Sequence, residues 1–305
     1  MNDPSGILIL HKPRGMTSHD CVAKIRRLFQ TKKVGHTGTL DPDVNGVLPI
    51  CIGTATKVVE YMSDHSKVYE GEVTLGIATT TEDKSGETVA EKAVNERWSK
   101  AQIEDILRSF EGVITQVPPM YSAVKVNGRK LYEYARANQQ VERPKREVTI
   151  HSLDLISEVS YTETTAAFSF RVHCSKGTYV RTLAVDLGER LGYPAHMSAL
   201  VRTAAGPYSL EQSLTFSELE QKQETDQLEE ILLPFESALT QFPVCTVDRQ
   251  TEQQIKNGAV LPAEKGLDQN RFTVYNEDGE CLAVYQKHPT KAGLIKPEKM
   301  FWTGS

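Results

Sequence analysis

No run of about 18 apolar residues occurs in this chain, so no segment is suited to cross a bilayer as a helix. The five cysteines, Cys21, Cys51, Cys174, Cys245 and Cys281, are odd in number, scattered and without a Cys-x-x-Cys pair. That argues against a disulfide framework and for reduced structural thiols. The eight histidines never take the spacing His-Glu-x-x-His, so neither a structural nor a catalytic metal is supported, and no cofactor is expected. Internal repeats and low-complexity tracts are also missing. The opening Met1-Asn2-Asp3-Pro4-Ser5-Gly6 lacks the basic flank and apolar core of a secretion signal, which makes a cytoplasmic location the expectation.

What is present is ordinary globular material. Of 305 residues, 39% are hydrophobic and 25% charged, enough for one large domain and a small one. A net charge of -5 argues, taken alone, against a nucleic-acid partner. The distribution of charge argues otherwise. Lys24, Arg26, Arg27, Lys32 and Lys33 lie in one acid-free segment, and Lys125, Arg129, Lys130, Arg136, Arg143, Lys145 and Arg146 form a second basic group. Acids collect instead between Glu211 and Glu236. Such asymmetry allows a basic working face on an acidic protein.

Hydrophobic periodicity supplies the elements. Gly6–Leu10 reads as a buried strand, and Thr17 or Ser18 as the cap of a helix with Val22, Ile25 and Phe29 on one face. Val47 to Ile52 reads as another buried strand, and Tyr69 to Leu75 alternates as a half-buried one before a polar loop from Thr79 to Gly86. Ser99 caps a helix carrying Ile103, Ile106, Leu107 and Phe110. From 116 to 146 the periodicity weakens and a mobile basic insertion is expected. Strands resume at Val148–Ile156 and Phe168–Cys174, followed by a helix from Val180 to Leu191 that closes at Gly192. Beyond the acidic helical region, Pro243 begins a β-rich tail with strands at Phe272–Tyr275 and Cys281–Tyr285 about an Asn276–Gly279 turn.

One loop stands out chemically. In Gly35-His36-Thr37-Gly38-Thr39-Leu40-Asp41-Pro42-Asp43, a carboxylate sits in a glycine-punctuated turn directly before a proline, which pushes Asp41 toward extended geometry. An Asp-Pro in such a turn is, by itself, commonly only a turn former. This block, continued through Val47-Leu48-Pro49-Ile50-Cys51-Ile52-Gly53-Thr54-Ala55-Thr56-Lys57 and preceded by Lys12-Pro13-Arg14-Gly15-Met16-Thr17-Ser18, closely resembles the bacterial TruB-type tRNA pseudouridine synthases. Three further blocks match the same family in order: Lys67-Val68-Tyr69-Glu70-Gly71, the segment from Lys176 to Leu183, and the segment from Ala195 to Thr203.

The resemblance implies an enzyme that isomerises uridine 55 in the T-loop of tRNA, by base flipping and a catalytic aspartate, without a cofactor. Asp41 takes the place of that aspartate, Tyr69 of the tyrosine that packs on the base, and Arg181 of the arginine that pairs with the carboxylate. His36, Tyr179, Leu200 and Lys12 are implied at the substrate, with Lys12 supporting the pocket rather than doing chemistry. Arg129 and Lys130 belong to the insertion that matches an RNA-gripping thumb. The carboxylate can attack C1′, add to C6 or remove a sugar proton, and the sequence is compatible with all three.

The implied architecture is α+β: a catalytic domain, residues 1–238, around a mixed, largely antiparallel sheet, and a small PUA-like β-barrel, residues 240–305. The expected partner is tRNA, with no membrane and no obligate protein partner, and a monomer is expected. A related synthase working on ribosomal RNA with a guide RNA is disfavoured by the short C-terminal domain and the missing lysine-rich tail. A non-catalytic RNA-folding module is disfavoured by retention of Asp41, Tyr69 and Arg181. A glycoside hydrolase would need a matched acid and nucleophile pair, which the sequence does not offer.

Overall fold

Ile7, Leu8, Ile9 and Leu10 form an unbroken apolar run because the strand they build, Gly6–Lys12, is covered on both faces. Leu8 and Leu10 enter a large core with Val22, Ile25 and Phe170, while Ile7 and Ile9 enter a second core with Tyr61, Met62, Val284 and Phe301. The neighbouring strand Asn45–Ile52 divides its side chains in the same way. The computed structural model describes residues 4–263 and 269–302, so residues 264–268 of the expected C-terminal domain and both chain ends lie outside the described residues.

The main sheet runs in the order Gly6–Lys12, Asn45–Ile52, Ala195–Ala205, Lys67–Leu75, Ala166–Cys174, Arg146–Leu155, Gly112–Gln116. Along this path every pair is antiparallel except Asn45–Ile52 with Ala195–Ala205, which is parallel. This is the mixed, largely antiparallel sheet of the expected α+β class. At the parallel pair the backbones come very close. A Cβ on Gly46, whose φ is +118°, would lie 2.2 Å from the Arg202 carbonyl oxygen.

The helices form where their caps and periodicity place them. Thr17 caps Ser18–Leu28 through a reciprocal capping box with Asp20, and Ser99 caps Lys100–Arg108 through one with Gln102. Val180–Leu191 ends at Gly192, which adopts a left-handed φ of +81°. The acidic region holds one α-helix, Phe216–Glu224, between two short 3-10 turns, Leu210–Gln212 and Phe235–Ala238.

The basic insertion contains more structure than its periodicity indicates. Asn127 and Gly128 both have positive φ and turn Lys125–Val126 back onto Arg129–Lys130, as an Asn-Gly hairpin requires. The helix Leu131–Arg136 follows, anchored by the fully buried Leu131.

The C-terminal region forms a separate five-stranded sheet in the order Val244–Thr246, Arg271–Tyr275, Cys281–Lys287, Leu294–Met300, Leu261–Pro262. Sequence periodicity did not show the helix Arg249–Lys256, capped by Asp248, or the last long strand. Leu294–Met300 carries lysines and a proline where alternation would be read, so its strand character comes from pairing with Cys281–Lys287.

Candidate active site

The Asp41 loop is fixed from beneath. Lys12, fully buried, donates from Nζ to the carbonyls of Pro13 at 2.9 Å, Pro42 at 3.1 Å and Val44 at 2.7 Å. These three bonds use all the donors of an ammonium. Ser18 closes the other side, its Oγ donating to the Leu40 carbonyl and accepting from the Leu40 amide. Lys12, grouped by resemblance with the substrate residues, is therefore beyond the reach of RNA, and its work is to tie the backbone that follows Asp41 to Pro13, while Ser18 holds the residue before it. Burial lowers its pKa, opposed by the charges of Asp41 and Asp43.

The carboxylate of Asp41 meets Arg181 from the first turn of the Val180–Leu191 helix, with Oδ2 3.0 Å from Nη2. The arginine side chain is 6% exposed and that of Asp41 42%, so the pair has a buried cation and an accessible anion. Arg181 also donates from Nη1 to the Thr81 carbonyl and from Nη2 to the Tyr121 carbonyl, both at 2.9 Å, and Nη1 lies 3.8 Å from Asp83 Oδ2. Its guanidinium thus has a fixed orientation before any ligand arrives. Burial pushes the Asp41 pKa up, Arg181 opposes that, and Asp83 adds to it. Because the carboxylate opens onto a cavity, water within that cavity moderates the rise, and a ligand that displaces the water strengthens it.

Two cavities, each of about 320 Å³, share Asp41, Val44, Arg181 and Leu200 in their walls. That volume lies at the lower end for a small-ligand site. Tyr69, Tyr179, Lys67 and Arg202 complete the first, while Arg14, Asp83, Tyr121, Tyr132 and Arg136 contribute to the second. Tyr69 comes from the Lys67–Leu75 strand, and burial raises its phenol pKa against the effect of Arg202. Tyr179 precedes the Arg181 helix and is held at its backbone by Gln116, which donates to its carbonyl at 3.1 Å and accepts from its amide at 2.9 Å. Arg146 lies over its ring at 5.4 Å. Leu200 is buried and supplies apolar wall to both cavities.

The remaining expected residues lie apart from these walls. His36 lines neither cavity; its Nδ1 accepts from the Gly38 amide, and its ring meets that of His19 edge-on at 5.5 Å. Burial lowers its pKa. Arg129 and Lys130 sit on the insertion hairpin, with Arg129 bonded to Gln139 and packed on Tyr134, and Lys130 beside Tyr132. Sequence reasoning gave no role to Lys67, Asp83 or Arg202. Lys67 stands two residues before Tyr69, and Arg202 is the cross-strand partner of Tyr69, so strand pairing was the signal that could have found the second of them.

The model for the TruB family pseudouridylate synthase N-terminal domain matches residues 26–180, and that for the tRNA pseudouridylate synthase B C-terminal domain matches residues 181–240. The chain is 60% identical over 298 residues to tRNA pseudouridine synthase B of Halalkalibacterium halodurans, covering 98% of both chains. It is 55% identical over 300 residues to the protein of the same name from Bacillus subtilis, covering 97% of each. Among solved structures, a Cbf5-Nop10-Gar1 complex contains a chain that matches with a TM-score of 0.72 and 26% identity, over 97% of this chain and 85% of that one.

Proposed function

The chain belongs to the TruB family of pseudouridylate synthases, and from that premise we propose that it converts uridine 55 in the T-loop of tRNA to pseudouridine. The observation that carries the reading is the 3.0 Å pair of accessible Asp41 and buried Arg181 in the wall of a cavity that also holds Tyr69 and Leu200. The uridine is flipped out of its stack to reach that cavity, since a stacked base exposes neither face of its glycosidic bond to a carboxylate. Asp41 then acts on the sugar or the base, and Arg181 keeps it ionised and aimed. Tyr69 packs on the base and assists departure of the C5 proton, and Leu200 excludes water. Tyr179 and His36 help position the RNA, with His36 outside the cavity wall.

The isomerisation needs no redox partner or energy donor, because the bond from C1′ to N1 is exchanged for one from C1′ to C5. The insertion carrying Arg129 and Lys130 grips the T-stem loop through phosphate contacts. Residues 1–238 act as the catalytic domain and 240–305 as a PUA-like RNA-binding domain, a division supported by their separate sheets. The enzyme works in the cytoplasm as a monomer and requires only tRNA.

The test is chemical mapping of pseudouridine in an unmodified tRNA transcript incubated with wild-type protein or Asp41→Asn. Wild type should form pseudouridine at position 55 alone, and Asp41→Asn should lose about 10⁴-fold or more in turnover while still binding tRNA. Comparable turnover by the two proteins would overturn the role of Asp41, and modification at a different base would overturn the site assignment.

A further inference from the structure

Resting on that reading, we propose that Lys67 and Arg202 form a cationic wall that stabilises the negative charge gathered by the uracil ring as its bond to the sugar is exchanged. The two side chains line the same cavity as Asp41 and Tyr69. Lys67 is 7% exposed and Arg202 1%. Among the described residues neither forms a salt bridge with a carboxylate. Arg202 donates from Nε to the Val47 carbonyl at 2.7 Å and from Nη2 to the Gly38 carbonyl at 3.2 Å. Lys67 donates from Nζ to the carbonyls of Ser63 at 2.8 Å and His65 at 2.6 Å.

Capping the short Val59–Ser63 helix explains part of this arrangement, and Asp64 favours the Lys67 ammonium without forming an ion pair with it, by less than burial and Arg202 oppose it. Two neighbouring buried cations repel one another, and carbonyl dipoles compensate less than a carboxylate would. An ammonium has three donors and a guanidinium five, so donors remain after these bonds are made. The two cations approach one feature of the catalytic loop: a Cβ on Gly38 would lie 3.6 Å from Arg202 Nη1 and 4.0 Å from Lys67 Cε. Arg202 also stands directly across the antiparallel ladder from Tyr69, the residue assigned to pack on the base.

The chemistry supplies the missing anion. If Asp41 attacks C1′, or removes a sugar proton, the electron pair of the C1′–N1 bond passes to the base, which becomes a uracil anion with charge on N1, O2 and O4. If Asp41 adds to C6 instead, the electron pair of the C5–C6 double bond moves toward O4 as an enolate. C5 then takes C1′. In the first route this displaces Asp41 from C1′, in the second the abstracted proton returns to the sugar, and in the third C1′–N1 breaks and Asp41 leaves C6. C5 loses its proton as N1 gains one, which leaves a neutral ring. Charge therefore develops on the base whichever atom Asp41 engages, and fixed cations at that place stabilise it without reorganisation. Arg181 is occupied by Asp41 and the Thr81 and Tyr121 carbonyls, and Lys176, which lines the same cavity, pairs with Asp64 at 2.6 Å, which leaves this work to Lys67 and Arg202.

The experiment compares wild type, Lys67→Met and Lys67→Arg in single-turnover reactions at saturating enzyme, on tRNA carrying uridine or 5-fluorouridine at position 55. Fluorine stabilises the base anion by itself, so the substrate carrying it depends less on the wall. Lys67→Met should slow consumption of uridine by roughly 100-fold and of 5-fluorouridine by a markedly smaller factor, and Lys67→Arg should restore most of the rate. Equal losses on both substrates, or an Arg variant as slow as Met, would overturn the proposal. So would weaker tRNA binding with a smaller salt slope and an unchanged saturated rate, which would mark a phosphate contact. Failure of wild type to make pseudouridine at position 55 would instead overturn the reading on which the proposal rests.

Discussion

Lys67 holds its proton only up to about pH 8, low for a lysine, because burial and then the charge of Arg202 disfavour the ammonium. Cys174 and Asp64 act the other way, and Lys176 adds to the depression. If the ammonium serves the base, the single-turnover rate should fall as pH rises through about 8, and Lys67→Arg should flatten that limb. Stability moves oppositely. Between the folded value and the ordinary lysine value near 10.5 the unfolded chain binds more protons, so this group favours the folded state increasingly as pH rises. A falling rate in a protein whose melting temperature does not fall would separate the two effects. Asp41 and Arg181 were legible in the sequence because motifs carry them. The supporting role of Lys12 agrees with the expectation that it props the pocket, but its grouping with the substrate residues does not agree with its burial against the carbonyls of Pro13, Pro42 and Val44. Arg202 escaped notice because its segment reads only as a motif, and the strand Ala195–Ala205 that sets it opposite Tyr69 is visible only in the pairing.

At the scale of elements, Gly46 lets two strands run parallel at a spacing that no side chain permits. Gly46→Ala would force a Cβ to within 2.2 Å of the Arg202 carbonyl, at a φ that alanine resists. It should destabilise the fold by about 3 kcal/mol, read by urea denaturation, and displace Arg202 from the cavity wall. The insertion hairpin makes a different prediction. Neutralising Arg129 and Lys130 together should weaken tRNA binding and reduce the salt slope by up to about 2, measured by titration at several ionic strengths; an unchanged slope would remove the hairpin from the interface. Apart from Ala195–Ala205 and Gly112–Gln116, the strands along the main sheet's path and the long helices were readable because caps and apolar spacing agree. The insertion was not, since its hairpin rests on Asn127-Gly128 turn chemistry and its helix on the single buried Leu131. The C-terminal strand Leu294–Met300 was hidden for a related reason, its residues being chosen by their cross-strand partners.

For the whole molecule, the second core joins the main sheet to the C-terminal one. Phe301 stacks near Phe235 with ring centroids 4.7 Å apart, Lys57 donates to the Met300 carbonyl, and Lys299 pairs with Glu60 at 2.6 Å. Phe301→Ala should cost about 3 kcal/mol and shift one calorimetric transition for the entire protein. A separate, unshifted transition for the catalytic sheet would show that the two parts fold independently. That same core has a consequence during synthesis. Ile7 and Ile9 are made long before Val284 and Phe301, with which they share that core. One face of the strand Gly6–Lys12 therefore remains without its full covering until Val284 and Phe301 have been made. The nascent chain carries an apolar surface through all of the intervening synthesis, and Val284 and Phe301 are the residues that seal it.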